Sequence, residues 1–221
     1  MKIEIHIKWD DFKVNRVVRY FVLTDLFFFG GWGLIEPIFA VFVLDIKGTT
    51  LITIGAVWAL YWVVKSLVQI PVSLYLDHHA GEKDDFYALL FSLVLAGFSA
   101  MAFLSVHTIG GLFLVQFIYS VALGFYTPSW TGIFSRHVDK NQYSFSWSLD
   151  STAVGLAYGV TALVGGAIAN FFGFQAVFVF VAILSFASAF LLFSVPNLVL
   201  PKPVSKVPPL IRDHSPADIG K

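Results

Sequence analysis

Apolar residues fall along this chain in long unbroken blocks, not in the alternating or three-to-four-residue spacing of a soluble domain. A hydrocarbon core of ~30 Å takes ~20 helical residues to cross. Six blocks reach that length, at residues 18–44, 51–76, 86–106, 108–135, 144–170 and 174–195. The pattern predicts an all-α polytopic membrane protein with six transmembrane helices. The polar stretches between the blocks are short (45–50, 77–85, His107, 136–143 and 171–173), so consecutive helices should be antiparallel neighbours.

The ends read differently. Residues 1–16 mix acidic and basic side chains and lack the apolar stretch and cleavage site of a secretory leader. Ile3, Ile5, Ile7 and Trp9 alternate with polar residues there, as in a short strand or an interfacial segment. Residues 196–221 hold six of the nine prolines and read as a flexible tail after a 17–195 bundle. With the N-terminus cytoplasmic, every basic loop or tail residue except Lys47 falls on the cytoplasmic side. Both termini are therefore expected in the cytoplasm, with the bundle in the cell (plasma or inner) membrane.

Composition narrows the chemistry. The charged fraction, 13%, is about half the ~25% usual in soluble domains. The net charge of zero gives no reason to expect nucleic acid. Without cysteine there is no disulfide, thiol nucleophile or Cys-type metal site. No P-loop, G-x-S-x-G or H-E-x-x-H pattern occurs, so neither an enzyme nor a bound cofactor or metal is expected.

What remains are ionisable residues inside apolar blocks, each costing roughly 2.5–3.5 kcal/mol at the bilayer centre. The acidic and lysine residues among them are Asp25 and Glu36 in the first block, Lys65 in the second and Asp150 in the fifth. On an uninterrupted helix Asp25 and Glu36, eleven residues apart, would share a face with Trp32 between them. Glu36 is expected to bind a proton or cation with Lys65 as its counter-charge, Asp25 assisting. Pro37 after it frees a backbone carbonyl. Tyr61, Trp62, Gln116, Tyr119 and Tyr126 add polar and aromatic atoms on the second and fourth blocks and, with Trp32, Glu36 and Lys65, make up the expected substrate cavity.

The order of these features resembles the N-terminal six-helix bundle of a major facilitator superfamily transporter. The first block, GGWGLIEPIFAVFVLDIKG, is similar to the family's first helix. QIPVSLYLDHHAGEK resembles its loop motif G-x-x-x-D-R-x-G-R, with Asp77 as the Asp and Ser73 and His78 in place of Gly and Arg. QFIYSVALGFYTPSW resembles R-x-x-x-G-x-G-x-G, with Gln116 for the Arg and Gly124 and Pro128 matching. GLAYGVTALVGGAIANFFGF resembles G-x-x-x-G-P-x-x-G-G, ending at Gly165 and Gly166.

The resemblance implies half of a fold built from inverted three-helix repeats, whose two halves rock around a site at the bilayer midplane. It implies a secondary transporter of a small molecule, proton-coupled and working by alternating access. A second copy would supply the missing half, making a homodimer in which Lys65 meets Asp150 of the other copy and Asp77 gates. Two other readings compete: a substrate-binding component that needs an ATPase partner, and one half of a split transporter or scaffold.

Overall fold

A computed structural model describes residues 14–78, 82–140 and 142–194; the expected segment at residues 3–9 and the tail at 196–221 lie outside them. The described residues are almost entirely helical. Asn15 starts α1 (Arg16–Gly33), its side-chain oxygen accepting from the Val18 amide at 2.9 Å. Beyond Gly33 the helix stops. Pro37 has no N–H to donate and disfavours helical backbone at Glu36, so the chain makes a short 3-10 turn at Glu36–Ile38 and resumes as α2 (Phe39–Asp45). The first block is thus one crossing made of two helices, and the expected common face of Asp25 and Glu36 does not exist as a helical stripe.

α3 (Leu51–His78), α4 (Lys83–Phe103) and α5 (Ile109–His137) follow the second, third and fourth blocks to within three residues at each end. Thr108 caps α5, accepting from the Gly111 amide at 3.1 Å. α6 (Tyr143–Phe193) runs for 51 residues, a contour of ~76 Å at ~1.5 Å per residue, more than twice the hydrocarbon thickness. Gly173 interrupts it with φ 82° and ψ 169°, a conformation glycine adopts without a Cβ clash. Its two limbs run in opposite directions along α1. Gly30, Gly33 and Leu34 lie against Ala157, Thr161 and Gly165 of the first limb in rising order. Thr24, Gly31 and Phe42 meet Ser188, Leu184 and Phe178 of the second in falling order. Among the described residues there are thus five helical runs long and apolar enough to cross a membrane, the fifth folding back at Gly173.

Packing follows the small residues. Gly165 brings the first limb onto the Leu34 backbone, Gly97 admits the Phe186 ring, and Gly124 admits Val68. Ser188 Oγ donates to the Thr24 carbonyl at 2.9 Å, tying the second limb to α1. Phe42, Phe103 and Phe178 close one end, with the last two stacked at 5.0 Å. α5 packs on α3 and α4, α4 on α6, and α6 on α1.

α3 is the least enclosed crossing. Ile52, Val63, Leu67, Ile70 and Leu74 lie open along its outer side, acceptable only where lipid or another apolar surface covers them.

Candidate functional site

A cavity of about 460 Å3 lies among α1, α3, α5 and the first limb of α6; neither α4 nor the second limb reaches it. α1 and the turn after it contribute Asp25, Phe29, Trp32 and Glu36. α3 contributes Trp58, Tyr61 and Lys65, one helical face at spacings of three and four. α5 contributes Gln116, Tyr119, Tyr126, Thr127 and Trp130, and the first limb Trp147, Asp150, Ser151 and Tyr158.

The acidic groups form two poles. At one, Asp25 is 2% exposed and accepts a short hydrogen bond from the Tyr126 hydroxyl, and Asp150 is close enough for the two charges to interact. The rings of Trp130 and Trp147 stand 5.5 Å apart there. At the other, Glu36 is exposed at the cavity wall within electrostatic reach of Tyr61, Tyr119 and Tyr158. Trp32 stacks on Tyr119 at 3.8 Å and Tyr61 on Tyr119 at 5.7 Å, a continuous aromatic wall.

Lys65 does not pair with a carboxylate among the described residues. Its Nζ sits 5.1 Å from the Trp62 ring centroid and 5.7 Å from that of Tyr61, a cation–π arrangement. The expected role as counter-charge to Glu36 is thus not what the side chain does here. α3 turns Trp62 one position off the cavity face, so it is 56% exposed and absent from the walls. Lys65 and Asp150, expected to meet across two copies, both line the cavity of a single chain. Asp77 is exposed near the end of α3 and lies outside the cavity.

Beside that end, Arg136 at the foot of α5 donates from Nε to Glu82 Oε1 at 2.9 Å and from Nη2 to Asp85. Asn15 Nδ2 donates to the His137 carbonyl at 2.5 Å. Together they fasten the starts of α1 and α4 to the end of α5.

Trp58, Trp147 and Tyr158 are wall residues that the sequence reading passed over. Trp147, Asp150, Val154 and Tyr158 recur at spacings of three and four, so the face was present in the sequence around Asp150. No group of three or more His, Cys, Asp or Glu that could hold a metal occurs among the described residues.

Comparison with known proteins bears on the fold and the family. A POT-family transporter of known structure, PepTSo, superimposes with a TM-score of 0.73 over 89% of the chain at 12% identity, the chain covering 40% of it. An uncharacterised MFS-type transporter of Methanocaldococcus jannaschii is 24% identical over 159 residues, 72% of this chain and 40% of that protein. The chain thus spans about two-fifths of the length of these relatives. The description of the Major Facilitator Superfamily matches residues 21–217, nearly the whole sequence. This membrane chain, with its cavity framed by α1, α3, α5 and the first limb of α6, belongs to the Major Facilitator Superfamily.

Proposed function

We propose that the chain is half of a proton-coupled secondary transporter for a small molecule, completed by a second copy of itself and working by alternating access. The observation that carries this reading is the one-sided cavity. Its walls come from α1, α3, α5 and the first limb, and the helices flanking it expose small residues. At ~100° per residue, Gly55, Ala59 and Ser66 lie on α3 beside the face of Trp58, Tyr61 and Lys65, with the exposed Trp62 ring between that face and them. Gly155, Gly159 and Gly166 hold the matching position on the first limb, with nothing within 4 Å of a Cβ added at any of them. Two such stripes admit close approach of another helix pair. Parallel halves related by an axis along the membrane normal are the arrangement of the superfamily, and a two-fold dimer of this chain reproduces it.

Proton coupling is assigned to Asp25 and Glu36. Asp25 is the stronger group, since its carboxylate is buried, held by Tyr126 and close to a second carboxylate. Proton uptake there relieves charge repulsion inside the membrane. Both termini face the cytoplasm in this arrangement, in the plasma or inner membrane.

The test has two parts. The mass of the protein in nanodiscs should be that of a dimer, and Gly159→Leu should leave a folded monomer. Proteoliposomes should show uptake that follows a proton gradient and disappears in Asp25→Asn. A monomeric wild type, or uptake indifferent to the gradient, refutes the corresponding part.

A second reading is favoured by one observation: the chain covers 40% of both relatives. In it, a different chain or chain segment supplies the facing half. Co-purification of a second six-helix protein, in place of self-association, would select this alternative.

A further inference from the structure

Asp150 is the third carboxylate of the cavity wall, beside Asp25 and Glu36, to which proton binding is assigned. It lies on the wall at 8% exposure, and its Oδ1 has no hydrogen-bond partner among the described residues. A carboxylate oxygen buried in this way is costly unless a donor or a cation reaches it. Asp25 is already engaged by Tyr126, so this pole holds two interacting carboxylates. Lys65, the basic residue of the cavity wall, directs its ammonium over the Tyr61 and Trp62 rings instead.

The surroundings suit a positive charge on an apolar body. Trp147 stands one turn before Asp150, 39% exposed, with its ring against those of Trp130 and Phe134. Indole faces carry negative potential and attract cations, most strongly when water is excluded. An anion would meet two carboxylates in a medium of low dielectric. The volume of about 460 Å3 is that of a drug-sized pocket.

We propose that this pole binds an organic cation, an amine or quaternary ammonium with an aromatic body, its charge at Asp150 and its body against Trp147 and Trp130. The inference names the substrate class of the proposed transport site and rests on that reading for movement across the membrane, though not for binding.

The test is a binding titration on the full chain in nanodiscs, read by tryptophan fluorescence and calorimetry. The probes are benzyltrimethylammonium, tetraphenylphosphonium and phenethylamine, with benzyl alcohol and phenylmethanesulfonate as neutral and anionic counterparts. Saturable binding of the cations is expected, with the neutral and anionic probes weaker by about tenfold or more. Asp150→Asn should weaken cation binding about tenfold or more. Lys65→Met, which removes a positive charge from the same cavity, should strengthen it several-fold.

Absence of millimolar binding by all three cations overturns the proposal. So does equal affinity for the sulfonate, or a monodisperse Asp150→Asn protein with undiminished affinity. If Asp150→Asn does not fold, Lys65→Met decides: unchanged or weaker cation binding overturns the proposal. Uptake into proteoliposomes is scored separately. Cation binding without uptake refutes transport and leaves the site, whereas uptake of a neutral or anionic probe without cation binding refutes the site and leaves transport.

Discussion

Two glycines on one limb of α6 should respond in opposite directions to the same substitution. Gly165 is buried, and a Cβ built on it overlaps the carbonyl group of Leu34, backbone that cannot rotate away. Gly159 lies less than two turns earlier, exposed, with nothing within 4 Å of the added atom. Alanine in place of glycine favours a helix by about 1 kcal/mol. At Gly159 that gain stands alone in the single chain. At Gly165 it is opposed by overpacking of ~1–3 kcal/mol or more, because the first limb must move off α1. Gly165→Ala should therefore lie ~1–3 kcal/mol or more below Gly159→Ala in stability. For a chain of this size that is about 2–12 °C in midpoint. Thermal unfolding in mild detergent, followed by the monodisperse peak in size exclusion, measures the difference. Equal midpoints would refute the claim that the first limb lies directly on the Leu34 backbone.

Three further outcomes follow from named contacts. Lys65→Met should change the unfolding free energy little, by about 1 kcal/mol or less, because no carboxylate among the described residues is left unpaired; a loss of several kcal/mol would reveal a hidden ion pair. Arg136→Gln should cost ~1–3 kcal/mol, discounted for a guanidinium side chain that is 43% exposed, since it strands buried Glu82 and Asp85. Chemical denaturation in micelles checks this, and Lys83→Gln, on an exposed neighbour, serves as the neutral control. Tyr126→Phe removes the donor to Asp25 and should cost ~1.5–3 kcal/mol, while adding it to Asp25→Asn should cost less than the sum of the two; strict additivity in unfolding measurements would deny the bond.

Sequence alone determined the crossings. Apolar blocks of spanning length are a one-dimensional property, because lipid forces each to satisfy its own backbone as a helix. Among the described residues five long apolar helical runs fall on the blocks, and one of them, α6, covers both the fifth and the sixth, with a break at Gly173. An ionisable residue in an apolar block calls for a partner or a wet cavity, and Asp25, Lys65 and Asp150 all lie on the wall of one.

Partnership between those charges was not legible. Helical arithmetic joined Asp25 to Glu36, but Pro37 breaks the helix and leaves one buried and the other exposed. Length and reach paired Lys65 with a carboxylate, yet its stem lies along two aromatic rings; one position of rotation also put Trp62 outside the cavity. Which side chains meet depends on how each helix is rotated and where its neighbours touch it. That is set by contacts such as Gly165 on Leu34 and Gly124 on Val68, between residues far apart in the chain. The meeting of Asp25 with Tyr126 and Asp150 is therefore a property of the packed bundle, which hydropathy, being local, does not contain.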